Sequence, residues 1–538
     1  MEGQGVWEPV SVEPLPVSNS DSARLCAGLT RLTEAIPTPP SDWADGLKQA
    51  RPELSAGTPM WAWQRAVLAL VVVISATALL FDTGVTFLSL MALTIPAFLS
   101  VVVVRVASLI LALRASAPAT SSWPSAVDVA SGQSLSLSGN LDFEASVPFY
   151  TVLVPLYDET AAIDSLVPHL RALDWPSDRL EILFLIEAED HATGAALARA
   201  DLAPTMRVLM VPDGLPRTKP RALTYGLLAA RGDLVGVYDA EDMPPPEQLR
   251  QAAAMLLSDD RIGCVQARLN IYNPTESWFT RQFTIEYSAL FDAILPALER
   301  MRLPIPLGGT SNHFRRAALD GVGGWDPYNV TEDADLGIRL ARSGWMVRVL
   351  ASTTWEEAPA TFRVWLGQRV RWLKGWTQTY LVHMREPMRL GRQLGVRGWL
   401  GFQILLGGLV LSALLHPLAY AAVAWAIWHG GMPSDLSGIA GLIAWIGLNS
   451  LLIAYGTGIA LGWVTIRQRG HAIDVRHFAG LPLYWLLISY AAYRAIWQFV
   501  MAPYCWNKTP HRGASSLEGM AFQAPMTRAT PRWPTAEG

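Results

Sequence analysis

Val235-Gly236-Val237-Tyr238-Asp239-Ala240-Glu241-Asp242 decides the fold: it is an apolar strand that ends in three carboxylates within four residues. Acceptor oxygens at a strand end suit a hard divalent cation, Mg²⁺ or Mn²⁺, which keeps several waters and takes its remaining ligands from a phosphate-bearing substrate. The competing reading is a solvated acidic turn, helped by Pro244, Pro245 and Pro246. Upstream, three short apolar runs alternate with helical patterns: FYTVLVP from Phe149, LEILFLI from Leu180 and MRVLMVP from Met206. Strands alternating with helices predict a parallel sheet in an α/β domain. Ligands of such sheets sit at the carboxyl ends of the strands. The polar clusters gather there: Tyr157-Asp158-Glu159, Glu187 through Asp190, and Asp239 through Asp242.

Further out the composition changes. Of the 538 residues 51% are hydrophobic and 16% charged, against roughly a quarter charged in soluble domains. The apolar excess falls in 66–113 and 401–502, on either side of the α/β block. A net charge of -4 offers no basic field for nucleic acid. Three dispersed cysteines argue against a disulfide framework or zinc cluster. Residues 1–59 read as a disordered cytoplasmic tail and 60–114 as a transmembrane hairpin of two spans joined at Asp82-Thr83-Gly84. Then come a linker at 115–146, a cytoplasmic catalytic domain at 147–390 with an interfacial helix at 361–384, and a membrane region at 391–505. That region holds spans at 401–428 and 436–466 and a span or re-entrant segment at 478–502, before a C-terminal loop and tail at 506–538. Arg467, Arg469 and Arg476 mark the loop 467–477 as inside, whereas 429–437 carries no Lys or Arg. The positive-inside rule thus predicts a multi-pass protein of the plasma (inner) membrane with a cytoplasmic α/β block.

Three companions give the acidic strand end a chemical context. Thr218-Lys219-Pro220-Arg221 precedes a helix and brings cations toward nucleotide phosphates, or is a surface basic pair. Thr331-Glu332-Asp333-Ala334-Asp335 opens a helix as an N-cap threonine with first-turn acids, which is a structural explanation by itself. It follows Gly308-Gly309-Thr310 and Trp325-Asp326, which read as a substrate-facing loop. Gln368, Arg371 and Trp372 share a helix face by their i, i+3 and i, i+4 spacing. An amide, a guanidinium and an indole there suit sugar hydroxyls, a pyrophosphate and stacking on a pyranose. An amphipathic helix on the membrane is compatible with the same pattern.

Asp-x-(Asp/Glu), Thr-Glu-Asp and Gln-x-x-Arg-Trp, in this order between membrane segments, resemble the family 2 processive glycosyltransferases, which include cellulose, chitin and hyaluronan synthases. The resemblance covers about residues 150–380. It implies a GT-A domain with a Rossmann-like parallel-sheet core inserted between transmembrane helices, and inverting transfer from a UDP-sugar. It implies Asp239 and Glu241 as metal ligands with Asp242 placed to share the ion, and Asp333, beside Glu332, as general base. Gln368, Arg369 and Trp372 match the acceptor and pyrophosphate signature, with Gly309 and Thr310 assigned to the same side. Tyr157, Glu159, Glu187, Asp190, Lys219, Asp239 and Arg371 are expected at the nucleotide sugar. The first nucleotide carboxylate is left open between Glu187 and Asp190. The expected partners are a nucleotide sugar, a polysaccharide or glycolipid acceptor, the lipid bilayer and accessory export proteins. A non-processive transferase acting on a lipid carrier and a catalytically silent receptor or scaffold are the alternatives. The basic stretch Trp506 to Arg512 predicts a cytoplasmic C-terminus with Lys508 or Arg512 near the donor phosphates.

Overall fold

The computed structural model describes residues 42–81, 83–115, 147–428, 438–506 and 508. Nearly all of the expected 115–146 linker, residues 1–41, the loop 429–437 and most of the C-terminal tail lie outside the described residues.

The expected strands are β1 (Tyr150–Leu156), β2 (Leu180–Glu187), β3 (Met206–Val211) and β4 (Leu234–Val237). Three more follow: β5 (Ile262–Ile271), β6 (Asn312–Arg315) and β7 (Met346–Glu356). They form one sheet in the order β3-β2-β1-β4-β6-β5-β7, parallel throughout except for β6, which runs antiparallel to both β4 and β5. Side chains alternate across the sheet, so both faces are apolar. Val152, Val154, Ile182 and Phe184 pack in one core, and Leu153, Leu183 and Leu185 pack in the other with Leu223, Trp325 and Leu336. The antiparallel β6 brings the loop before it beside the end of β4, where the Ser311 N–H donates to the Val237 carbonyl at 2.8 Å.

The helices used below are α1 (Gly46–Ala50), α2 (Ala62–Phe81), α3 (Thr83–Ala115), α4 (His191–Arg199), α5 (Lys219–Ala229), α6 (Trp278–Ala289), α7 (Glu332–Arg342), α8 (Phe362–His383), α9 (Pro387–Phe402), α10 (Leu409–Trp428), α11 (Gly438–Arg469) and α12 (Leu481–Met501). A π-helical stretch at Gln403–Gly408 joins α9 to α10. Among the described residues, Pro387–Ala421 and Gly441–Arg469 are long and apolar enough to cross a membrane. Helix α12 is different. Near its start the Trp365 indole of α8 donates to the Tyr484 hydroxyl at 3.2 Å, and just past its end Gln378 of α8 donates to the Pro503 carbonyl at 2.9 Å. Both ends of α12 therefore rest on α8, a helix packed on the α/β block, while Leu483, Tyr490 and Trp497 face outward.

One expectation fails at the N-terminal side. Residues 42–59 are not tail: α1 and its flanking turns fold onto the α/β block. Buried Asp326 accepts from Ser55 Oγ at 3.0 Å and the Ala56 N–H at 2.5 Å, and Arg385 donates to the Pro52 and Ser55 carbonyls at 2.8 and 2.9 Å. A Pro- and Ser-rich composition conceals this docking because the partners are backbone carbonyls and one distant carboxylate, which leave no periodic signal.

Candidate active site

The site lies at the carboxyl ends of β1, β2 and β4, closed by the loop before β6, the first turn of α7 and one face of α8. Tyr157, Glu159, Glu187, Lys219, Asp239, Glu241, Gly309, Thr310, Glu332, Asp333, Gln368, Arg371 and Trp372 all line one cavity of about 680 Å³.

Beside the end of β4, Lys219 of α5 forms an ion pair with Asp239 and donates to the Gly309 carbonyl at 2.7 Å. Burial alone would lower its pKa, but Asp239 and Glu332 raise it above the ordinary lysine value, so the charge is held. The next turn is built by Asp242, which accepts from the Asp239 N–H at 2.8 Å and from the Thr310 hydroxyl. Asp242 is 1% exposed and lies behind the cavity wall, whereas Glu241 reaches the cavity. Glu356, at the end of β7, joins this group unforeseen. Burial and then the charges of Asp242 and Glu241 push its carboxyl well above the usual range. The signal was present, since Glu356 also ends a strand, but β7 carries mixed polar residues and does not read as one. Among the described residues no three His, Cys, Asp or Glu groups stand together in a way that holds an ion unaided. The donor set is instead an open one, in which Glu356 Oε1 is buried without a hydrogen-bond partner. Such a set fits a divalent cation that completes its shell with phosphate oxygens and water.

At the end of β2, Glu187 pairs with Arg221 at 3.1 Å, and its burial, only partly offset by Arg221, raises its pKa. Arg221 thus holds Glu187 and packs on the Trp43 ring at 5.0 Å, and it is not among the residues that line the cavity. Asp190 is placed away from the cavity: it caps α4 through the Thr193 N–H and accepts the Asp158 N–H at 2.5 Å. Of the two carboxylates left open, Glu187 is the one that lines the cavity. Tyr157 donates to Glu189, which also pairs with Arg217 at 2.7 Å.

Asp333 sits in the first turn of α7, its Oδ1 accepting from the Ala334 N–H at 2.7 Å. Burial raises its pKa against the lowering effects of that N–H, Lys219 and Arg371. Neighbouring Glu332 is pushed up to about 8 by burial and the Asp333 charge. Thr331 occupies the N-cap position but its side chain makes no cap bond. A Cβ built on Gly309 would lie 3.4 Å from Asp333 Oδ2, 3.8 Å from Lys219 Nζ and 3.9 Å from Asp239 Oδ2, so this glycine marks the centre of the site. Trp325 and Asp326, read as substrate-facing, are buried behind it, in the core and at the N-terminal segment respectively.

The residues of the α8 signature divide. Gln368, Arg371 and Trp372 face the cavity, with Gln368 Oε1 buried and without a hydrogen-bond partner. Arg369 lines the same cavity but is held in its wall, gripping Glu286 of α6 through both terminal nitrogens and donating to the Tyr484 hydroxyl at 2.9 Å. It ties α8 to α6 and α12. The segment after α12 crosses the rim. Lys374 donates to the Cys505 carbonyl at 2.6 Å, Arg371 stacks on the Trp506 ring at 4.6 Å, and Lys508 pairs with Glu159 at 3.1 Å. Lys508 therefore stands at the cavity rim beside Glu159, while Arg512 lies outside the described residues.

The family model described as "Glycosyltransferase like family 2" matches residues 148–375. The beta-monoglucosyldiacylglycerol synthase of Synechocystis sp. is 31% identical over 304 residues, 53% of this chain and 63% of that protein. The cellulose synthase 1 catalytic subunit of Komagataeibacter xylinus is 27% identical over 260 residues, 46% of this chain and 34% of that protein. A mannosyltransferase from Pyrobaculum calidifontis in complex with GDP-Man and Mn²⁺ superposes with a TM-score of 0.49 at 19% identity, covering 76% of this chain and 99% of that one. The chain spans less than two thirds of the length of these two curated relatives. With its mostly parallel seven-stranded sheet and the acidic turn after β4, the block 148–375 is a glycosyltransferase domain of family 2 with the GT-A fold.

Proposed function

We propose that the chain is a membrane-embedded inverting glycosyltransferase that moves a sugar from a nucleotide sugar, a UDP-sugar, to the hydroxyl of a growing polysaccharide. The observation that carries this reading is the single cavity that joins Lys219 and Asp239 to Asp333 and then runs past Trp372 into the helical bundle as far as His416 and Ile488. The acceptor hydroxyl attacks the anomeric carbon in line, and Asp333 accepts its proton. Lys219 and Arg371 balance the charge of the departing diphosphate. Asp239 with Glu241 would hold Mg²⁺ or Mn²⁺, which when bound supplies further neutralisation of that diphosphate. Trp506 and Lys508 cover the donor and limit access of water.

Placement of 502–506 and Lys508 on the α/β block supports a cytoplasmic C-terminus, and the two candidate spans support a multi-pass membrane protein, taken as one of the inner membrane. Export of product through accessory proteins is compatible with the bundle.

A second acceptor class has its own observation. Beyond Trp372 the cavity wall is mainly aliphatic, with Val101, Val104, Leu405, Leu409, Leu461 and Ile488. Its aromatic rings are engaged by the protein: Trp485 stacks on Tyr455 at 4.3 Å and under Arg105 at 4.5 Å. That lining suits the chain of a lipid acceptor better than a row of sugars. Purified protein supplied with a panel of UDP-sugars and Mg²⁺ or Mn²⁺ should release UDP, and chelator should stop it. Absence of release from every donor would favour the silent receptor. Product length then separates polymer from glycolipid.

A further inference from the structure

A second pocket, of about 380 Å³, lies where the N-terminal segment, the end of α7 and the start of α9 meet, and Arg51, Glu53, Arg339, Arg342, Arg389 and Gln393 are among its walls. Four guanidinium groups thus face one carboxylate. Arg339, 1% exposed, pairs with Asp335 at 2.7 Å and donates to the Val322 and Gly324 carbonyls, leaving Nη2 buried with no partner. Arg389 is matched by Glu386 at 2.9 Å and Glu53 at 3.5 Å. Arg342 makes no ion pair among the described residues, although the charges of Asp335, Glu386 and Glu53 act on it. It is 9% exposed, and its hydrogen bonds go to Gln393 Oε1 at 2.7 Å and His383 Nδ1 at 2.8 Å. Burial holds His383 down at about 4, so it is neutral, accepting from Arg342 and donating through Nε2 to Asp335 at 3.1 Å. Arg51 makes no ion pair among the described residues.

A buried guanidinium without a direct ion-pair partner is costly. Buried Arg342 and half-buried Arg51, neither in an ion pair, beside Arg339 with its unused donor make a site for an anion, and planar N–H forks suit phosphate oxygens. The geometry points to a phosphate-binding site here, separate from the donor cavity, in which Arg51, Arg342 and Arg339 Nη2 take the oxygens of one phosphate group. The pocket opens at the first turns of Pro387–Ala421, one of the two helices able to cross a membrane, so the phosphate reaches it from a lipid headgroup or from solution. Arg342 is linked through His383 to Asp335, two residues along α7 from Asp333, so occupancy bears on the position of the general base. That consequence rests on the proposed function, and the binding itself does not.

The test uses full-length protein in detergent with two probes: inorganic pyrophosphate, titrated calorimetrically, and phosphatidylglycerol against phosphatidylcholine, counted as bound adducts by native mass spectrometry. The variants are Arg342→Gln and Arg51→Gln, the latter chosen because it keeps the buried network whole should the former misfold. Each lost charged hydrogen bond should weaken binding roughly tenfold or more. Loss in the phosphatidylglycerol arm alone assigns the headgroup, and loss in the pyrophosphate arm assigns a soluble phosphate. Pyrophosphate held at the donor site binds parent and variants alike and drops out of the difference. Equal binding of both probes to parent and Arg51→Gln, or no binding of either to the parent, overturns the site. Failure of every UDP-sugar to turn over would sink the proposed function and leave this comparison standing.

Discussion

Two carboxylates on one helix, Asp333 and Asp335, lie two positions apart and have opposite environments. Asp335 is fully buried, and although burial would raise its pKa, Arg339 and His383 outweigh that and hold it below the ordinary range. Asp333 borders the cavity, touches no cation directly, and is raised. Both Arg369 and Arg371 line the cavity, but Arg369 is locked onto Glu286, whereas Arg371 makes no ion pair among the described residues. The same division separates Asp190, bonded to two backbone N–H groups, from Glu187. Charges answered by the protein hold the fold together, and charges left partly unanswered mark where a ligand belongs.

The largest expected effect tests the answered half. Asp335→Ala leaves Arg339 buried without its partner, and breaking such a pair costs about 3–5 kcal/mol. Thermal unfolding in detergent should show the loss, and a midpoint unchanged from the parent would mean that the pair contributes nothing. Asp333→Asn tests the other half. It should lower transfer roughly 10²-fold while leaving nucleotide affinity and unfolding temperature near those of the parent. Turnover close to the parent rate would make Asp333 a mere helix-start acid. Gly309→Ala sharpens the contrast by space alone. Its Cβ makes ordinary contacts with Asp333, Lys219 and Asp239, so folding is kept, but the methyl occupies the reacting region. A fall of roughly tenfold in kcat/KM is expected, read from UDP release against donor concentration, and an unchanged value would move the reacting atoms elsewhere.

How far the sequence discloses this division depends on what each residue type signals. The strands β1 to β4 were legible because a strand buried on both faces is a continuous apolar run, and their polar ends named Tyr157, Glu187 and Asp239 directly. β7, with Ser352, Thr353 and Thr354 near its end, lacks that run, and Glu356 was lost with it. Spacing placed Gln368, Arg371 and Trp372 on one helix face. It could not tell that Arg369 would be drawn to Glu286, 83 positions away in the chain. The docking of 42–59 was invisible for the same reason: its anchors, Asp326 and Arg385, are remote, and they recognise backbone rather than side-chain pattern.

Stability should also depend on pH, and here the two kinds of carboxylate should leave opposite signs. Glu332 has its pKa pushed from 4.5 up to about 8, chiefly by burial and then by Asp333. Between those values the unfolded chain has released the proton while the folded chain retains it, so the folded state binds more protons and stability falls as pH rises. Below 4.5 and above about 8 the group contributes no slope. Asp335 acts in reverse: its depressed pKa gives stability that is present above the ordinary 3.8 and lost as pH falls toward its folded value. Glu332→Gln should therefore flatten the decline in unfolding temperature across the neutral range and leave the acid limb in place, while Asp335→Asn should flatten the acid limb alone. Both profiles come from one series of melts in matched buffers. If Glu332→Gln leaves the neutral slope as it is, the proton is not held by Glu332, and the unanswered charge of this turn must be assigned to Asp333 itself.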